Sequence, residues 1–284
     1  MASVNIGVAA VGEDVVGRAE RIDWLLAAVS EAADKGAQIV VFPEGCLSHR
    51  TKEGMQAYEA GNFGITQARE LEHPEIKRFR DAAHDASVTL LLCVEELDAG
   101  KIYNTVFFFG PDGALLGRYR KRFLPPGEEN TFTPGEYMPP VQTPVGRIGA
   151  LVCWEIHFPE VTLRHVLEGA EILVWTTMPF GDMPMGFANR IAARAADAAV
   201  PLVVATYAVP SEKSTTWDGV YCMAADAFGR VTGAAPQKPG VYVFETEPSA
   251  PIKMVPWGWP PEKWLDRREH IKDQRRKFGI VSGR

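Results

Sequence analysis

The stretch Ile148-Gly-Ala-Leu-Val-Cys-Trp-Glu-Ile-His-Phe-Pro-Glu160 decides how the rest of the chain is interpreted. Its first five residues are apolar or small, which predicts a buried strand that ends immediately before Cys153. Pro159 then begins an amphipathic segment, and proline is common in the first turn of a helix. We expect nearby helix amides to favour the thiolate of Cys153 over its thiol. Taken alone, a single cysteine is more typical of a small buried hydrophobic residue.

The composition is that of an ordinary globular protein. The chain has 284 residues, of which 46% are hydrophobic and 23% charged, enough for one large domain or two small ones. No break in composition marks a linker, so we expect a single domain over residues 1–284. A tail from about residue 248 is expected to pack on that domain or on a second subunit.

Charge, cysteine spacing and hydropathy argue against several classes of function. The net charge is −6, whereas nucleic-acid-binding surfaces are strongly basic. Cys46, Cys93, Cys153 and Cys222 are far apart, so a metal site built on paired cysteines is not expected. No apolar run approaches the ~20 residues that span a bilayer, and the N-terminus resembles no signal peptide. We therefore expect a cytoplasmic protein with no membrane segment, metal or organic cofactor.

Hydrophobic patterns predict the order β-α-β-α-β-β-β, repeated once. The predicted strands lie near residues 5–10, 38–42, 88–94, 101–109, 114–119, 148–152, 171–177, 201–205, 221–226 and 241–246. Residues 51–72 contain three glycines and are interpreted as a long loop with room for a short helical turn. The segment 228–230 is predicted as the turn between the last two strands. Because the two halves look alike, we expect two sheets packed face to face with helices outside.

Three other polar residues follow predicted strands or lie in ordered loops. Glu44 comes after the run 38–42, and a buried carboxylate there is costly unless it has a partner; an exposed glutamate is the simpler interpretation. Lys121 follows the strand at 114–119 and, taken alone, is an ordinary surface lysine. Glu128 lies in a segment rich in proline and glycine, which predicts an ordered loop.

In their order and context these residues resemble the nitrilase superfamily of carbon–nitrogen hydrolases. The matching pieces are Val41-Phe-Pro-Glu44, Tyr119-Arg-Lys121 with Leu124-Pro-Pro-Gly-Glu128, and Val152-Cys-Trp-Glu155 with Phe158-Pro-Glu160. Residues 192–197 also resemble that family's arginine-containing helix. The resemblance covers about residues 4–247, and it implies an α/β fold of the four-layer αββα sandwich type.

The resemblance also implies a Glu-Lys-Cys triad. Glu44 would be the general base, Cys153 the nucleophile and Lys121 the oxyanion stabiliser. Glu128 would hydrogen-bond Lys121, with Glu129 as an alternative because relatives often carry one more residue in this loop. The chemistry is coherent by itself: a thiol attacks an amide carbon when a nearby base takes its proton, and fixed positive charge stabilises the oxyanion.

Four residues are candidates for substrate binding. Trp154, beside the nucleophile, is typical of an apolar or flat pocket wall, and its backbone N–H is a second candidate oxyanion donor. Met178 and Pro179 follow a predicted central strand and form another candidate wall, although plain packing explains them equally well. His157 stands where many relatives carry arginine, and it is either a substrate ligand or a structural histidine.

The leading interpretation is hydrolysis of a linear amide or an N-carbamoyl amine through a Cys153 thioester, with release of ammonia or amine. Nitrile hydrolysis and amide-forming acyl transfer use the same thioester and remain alternatives, and a non-catalytic binding module is a remote one. The expected partners are small-molecule amide, carbamoyl or nitrile substrates. The resemblance further implies a homodimer or a higher homo-oligomer, formed through residues 159–169 and the tail.

Overall fold

The structure is a computed structural model that describes residues 2–12, 14–178, 187–208 and 222–248. Residues Met1–Pro248 form one compact unit. The predicted tail beyond that unit lies outside the described residues, so its packing stays a prediction.

Strands and helices alternate along the first half of the chain, as the hydrophobic pattern predicts. They are β1 Val4–Gly12, α1 Arg18–Asp34, β2 Ile39–Val41, α2 Lys52–Glu59, α3 Phe63–Gln67, α4 Pro74–Asp85, β3 Thr89–Asp98, β4 Lys101–Phe109 and β5 Leu115–Arg120. The second half contains β6 Val141–Thr143, β7 Gly146–Val152, α5 Pro159–Leu167, β8 Ile172–Thr176, α6 Phe187–Ala198, β9 Leu202–Ala205, β10 Tyr207–Ala208, β11 Met223–Ala225, β12 Val231–Ala234 and β13 Gly240–Thr246. Short 3₁₀ turns cover Glu128–Asn130 and Cys153–His157.

The strands form two sheets. The first has the order β10-β1-β2-β3-β4-β5, with β13 also paired to β1, and the second has the order β12-β11-β9-β8-β7-β6. In each sheet three central strands are parallel, β1-β2-β3 and β7-β8-β9. In the sequence these strands form largely apolar runs, because helices cover one face of each sheet and the other sheet covers the opposite face.

Three apolar clusters show that the sheets and helices form four layers. The first joins the two sheets, for example Ile6 and Val8 with Ile148 and Val174. The second packs α1 and α4 on the outer face of the first sheet, and the third packs α5 and α6 on the second sheet. The predicted αββα sandwich is therefore confirmed.

Residues 51–72 contain more helix than the sequence predicted, namely α2 and α3. The Thr51 hydroxyl accepts the N–H of Gly54 at 3.1 Å and so caps α2. Gly64 marks a close approach rather than a loop, because a Cβ placed there would lie 2.6 Å from Thr131 Cγ2. In a sequence, glycine favours the prediction of a loop. A glycine that is required by close packing cannot be distinguished from a loop glycine at that stage.

The last strands also differ from the prediction. The turn at 228–230 joins β11 to β12 and not to the final strand. β13 belongs to the first sheet, where it pairs antiparallel with β1 from Val4↔Thr246 to Ala10↔Gly240. The hydrophobic pattern predicts that this strand exists. It does not show which strand, more than 200 residues away, pairs with it.

Candidate active site

The structure brings together the four residues that the sequence singled out for catalysis. Lys121 follows β5 directly, Cys153 follows β7 directly, and Glu44 lies three residues beyond β2. Lys121 Nζ donates to Glu44 Oε1 at 3.1 Å and to the two oxygens of Glu128 at 3.0 and 2.8 Å. The Cys153 thiol lies near Glu44, since each of the two groups acts on the pKa of the other. Lys121 is 0% exposed and Glu44 only 3%, so the surface interpretations of both residues are wrong.

Glu128, not Glu129, is the second glutamate on the lysine. The predicted hydrogen bond between Glu128 and Lys121 is present, while Glu129 Oε2 accepts the backbone N–H of Gly127 at 2.6 Å on the surface of the same loop. The shorter loop of this chain thus still delivers its first glutamate to the lysine.

Asn104, in the middle of β4, holds the Glu44 carboxylate and was missed by the sequence analysis. Its Nδ2 donates to Glu44 Oε1 at 2.8 Å, and its backbone carbonyl accepts the N–H of Lys121 at 2.8 Å. The signal was an amide side chain inside an apolar strand, because a buried amide needs polar partners. The backbone N–H of Met178 donates to the other oxygen, Glu44 Oε2, at 3.0 Å. Both oxygens of the carboxylate are therefore fixed before any substrate binds.

Cys153 adopts a strained backbone conformation. Its φ angle is +47°, a left-handed value that costs a residue other than glycine about 1–3 kcal/mol. The residue is partly exposed, whereas the other three cysteines of the chain are buried. Its Sγ lies 3.9 Å from the carbonyl oxygen of Met178, and its own carbonyl accepts Trp175 Nε1 at 3.0 Å. The sharp turn presents the sulfur at the end of the strand.

Glu155 connects the nucleophile to the segment that carries the lysine. This fully buried carboxylate accepts the backbone N–H of Val152 at 2.9 Å, the N–H of Arg122 at 2.8 Å and the hydroxyl of Tyr119 at 2.8 Å. Val152 directly precedes Cys153, and Arg122 directly follows the lysine. In the sequence Glu155 stands out only as part of a motif, since nothing there indicates its partners.

Electrostatics set the resting protonation of the site. Burial raises the pKa of the Cys153 thiol and the Glu44 carboxylate raises it further, against the effect of Lys121. Burial alone would raise the pKa of Glu44, but Lys121, His49 and two hydrogen bonds bring it below its ordinary value. The resting pair is therefore thiol and carboxylate. The expectation that helix amides favour the thiolate is wrong for the free protein, because burial and Glu44 outweigh them.

The pKa values of Lys121 and Glu128 are also shifted by burial and by the neighbouring charges. Burial acts to lower the pKa of Lys121, yet Glu44, Cys153 and Glu128 together raise it above its ordinary value. Lys121 is thus a fixed positive charge. Burial and the Glu44 carboxylate raise the pKa of Glu128 to about 7, although Lys121 opposes this.

The predicted substrate-binding residues have mixed outcomes. The rings of Trp154 and His157 contact each other, with centroids 4.4 Å apart at 62°. Burial lowers the pKa of His157, and Arg190 and Arg194 lower it further. The Met178 side chain packs in the apolar core, so its observed contribution to the site is its backbone. Pro179 lies outside the described residues.

The arrangement supports nucleophilic attack on an electrophilic carbon. A thiol beside a fixed carboxylate and a buried ammonium combines a nucleophile, a base and a stabilising positive charge. Among the residues that the structure describes, no group of three or more His, Cys, Asp or Glu side chains is placed to hold a metal ion. None of the helices in those ranges is long and apolar enough to cross a membrane.

Two solved structures illustrate how widely this fold is shared. Nit3 of Saccharomyces cerevisiae, a member of branch 10 of the nitrilase superfamily, has a TM-score of 0.74 at 21% identity, covering 87% of this chain and 90% of that one. An amidase from Nesterenkonia sp. has a TM-score of 0.72 at 20% identity, covering 95% of each chain. At this level of identity the likeness concerns the fold.

Curated relatives match parts of the sequence. An aliphatic nitrilase of Sinorhizobium fredii is 34% identical over 166 residues, which are 52% of this chain and 51% of that protein. The omega-amidase NIT2 of Homo sapiens is 31% identical over 185 residues, 62% of each chain. The chain spans about half the length of the nitrilases it matches. The family model described as carbon-nitrogen hydrolase matches residues 7–249, and the chain therefore belongs to that family, within the nitrilase superfamily.

Proposed function

We propose that the chain is a thiol-dependent hydrolase of non-peptide carbon–nitrogen bonds, acting on a linear amide or an N-carbamoyl amine. The observation that carries the proposal is the buried Lys121 ammonium, which donates to both Glu44 and Glu128 and lies beside the Cys153 thiol. An omega-amidase among the curated relatives agrees with an amide substrate.

In the first step, Cys153 Sγ attacks the amide carbon while Glu44 takes the thiol proton. Because the pKa of the thiol is raised and that of Glu44 lowered, transfer in the free protein is unfavourable. The proton therefore moves as the C–S bond forms. The oxyanion that develops is stabilised by Lys121 and by the backbone N–H of Trp154, and one such donor contributes about 3–4 kcal/mol.

Collapse of the tetrahedral intermediate breaks the C–N bond. Glu44 returns its proton to the leaving nitrogen, which departs as ammonia or amine and leaves a Cys153 thioester. Water then attacks the thioester carbon with Glu44 again as base, and the acid is released as the thiol is restored. Glu128 holds Lys121 in place throughout, and we assign it the further role of steadying the substrate nitrogen.

Nitrile hydrolysis is the second candidate, and the aliphatic nitrilase relative favours it. The same thiol adds to the nitrile carbon, and the adduct nitrogen becomes the leaving ammonia after water attacks. Acyl transfer to an amine differs only in the nucleophile that reaches the thioester. A cytoplasmic location and a homo-oligomeric state are part of the same proposal.

The test is a panel of linear amides, N-carbamoyl amines and nitriles, with ammonia and the acid product measured separately. Wild-type protein and a Cys222→Ala control, which alters a buried cysteine of the core, should release both products. Cys153→Ala and Glu44→Gln should release neither. Turnover of nitriles alone would favour the second candidate, and ammonia from no compound would contradict both.

A further inference from the structure

His49 lies directly beside the backbone that follows Glu44. Gly45 has a φ angle of +57°, and a Cβ placed on it would lie 1.8 Å from His49 Cδ2 and 2.6 Å from His49 Nε2. The imidazole therefore occupies the space into which a side chain at position 45 would project. Because position 45 adjoins Glu44, this ring is a neighbour of the catalytic carboxylate.

His49 also belongs to a stack that reaches the Glu128 loop. Its ring lies against that of Phe63, with centroids 5.2 Å apart at 23°. Phe63 begins α3, and the next residue, Gly64, packs against Thr131, immediately beyond the 3₁₀ turn of Glu128. The stack thus spans the two segments whose carboxylates hold Lys121. Consistent with this position, the charges of both Glu44 and Lys121 act on the pKa of His49, which burial lowers.

His49 is held through its backbone, and its ring lies near a buried carboxylate. Arg21, which is buried, donates to the backbone carbonyl of His49 at 3.3 Å. Glu95 Oε1 lies 3.8 Å from His49 Nε2 and accepts the hydroxyl of Ser48 at 2.6 Å. The side chain of His49 nevertheless keeps 20% of its surface exposed. The ring is therefore packed against protein and still partly accessible to a ligand.

We propose that His49, backed by Phe63, is a specificity-determining residue that forms the wall of the acyl pocket beside Glu44. This inference rests on the proposed hydrolase function. A wall of two aromatic rings fits a short uncharged acyl group, aliphatic or carbamoyl. Longer acyl chains meet the imidazole before their carbonyl carbon reaches Cys153.

The first test compares kcat and KM for acetamide and hexanamide in three proteins: wild type, His49→Ala and a His84→Ala control. His84 lies on α4 with 65% of its side chain exposed. Removal of the imidazole should raise the hexanamide-to-acetamide ratio of kcat/KM by roughly tenfold or more, mainly through KM. The control should keep the wild-type ratio. An unchanged ratio in His49→Ala, or an equal loss on both amides, would overturn the proposal.

The second test does not require turnover. 2-Chloroacetamide and 2-chlorohexanamide alkylate a thiol by displacing chloride, and intact mass reports the labelling rate of Cys153. His49→Ala should favour the longer reagent by a similar factor, and Phe63→Ala, which removes the backing ring, should act in the same direction. If wild type hydrolyses no amide but the labelling ratio shifts, the hydrolase proposal fails and the wall stands. If amides are hydrolysed and neither ratio shifts in either variant, the wall alone fails.

Discussion

Replacement of Glu155 by glutamine tests whether this carboxylate joins the nucleophile to the lysine segment. Glu155 Oε1 accepts the hydroxyl of Tyr119 and the N–H of Arg122, and Oε2 accepts the N–H of Val152. Glutamine keeps one oxygen, which satisfies the first two donors. Its NH₂ group then faces the N–H of Val152, immediately before Cys153.

The expected decrease in the free energy of unfolding follows from the number of donors that lose their acceptor. One buried N–H without a partner costs about 1–3 kcal/mol, so Glu155→Gln should lower the free energy of unfolding by that amount and still fold. Glu155→Ala strands four donors, since Oε1 also accepts the N–H of Phe123 at 3.4 Å. The loss amounts to about 4–12 kcal/mol, comparable with the whole stability of a typical protein. That variant should fold poorly.

Urea unfolding and thermal melting measure the loss of stability in Glu155→Gln, and steady-state kinetics on an accepted amide measure its loss of activity. We expect Tm to fall by about 2–4 °C per kcal/mol and kcat to fall with little change in KM, because the strand end that presents Cys153 is loosened. Glu136→Gln, the same change at an exposed glutamate, is the matched control. Glu155→Gln with the Tm and kcat of this control would refute the role assigned to Glu155.

Three further predictions follow from the site and from α5. Lys121→Met should abolish turnover and cost about 3–5 kcal/mol of stability at neutral pH, because the buried carboxylate of Glu44 and the partly buried one of Glu128 lose their counter-ion. Wild-type values from urea unfolding would contradict this. The kcat/KM of the wild type should rise with pH through about 7, where the Glu128 carboxylate that pairs with the lysine forms. Glu128→Gln should lose this rise, and an unchanged profile would count against the residue. Leu163 and Leu167 are 43% and 42% exposed on α5, so Leu163→Glu should dissociate the predicted oligomer in light scattering, unless the wild type is already a monomer, which would contradict the prediction.

The sequence predicted the layers and the four catalytic candidates for a definite physical reason. Buried strands produce continuous apolar runs, and their ends are marked by Pro, Gly and the polar residue that follows. Glu44, Lys121 and Cys153 each stand at or just beyond such an end, so their relation to the sheet could be predicted even though no single position was decisive.

What the sequence did not predict depends on partners that are distant along the chain. The hydrogen bond from Asn104 to Glu44 joins residues 60 positions apart, and the pairing of β13 with β1 joins the two ends of the compact unit. The positive φ of Cys153 is likewise imposed by its surroundings rather than by its own preference. The resting thiol follows from burial, which a local helix argument does not include.

Intact-mass spectrometry after rapid acid quench tests the central claim, that Cys153 carries the acyl group, most directly. Wild type and Cys153→Ala are mixed briefly with each amide, carbamoyl amine and nitrile of the panel. We expect a mass increment equal to the acyl or carbamoyl group, or the nitrile-derived imidoyl group, in the wild type only, and its disappearance as the acid product forms. The same increment in Cys153→Ala, or ammonia released by that variant at the wild-type rate, would contradict it.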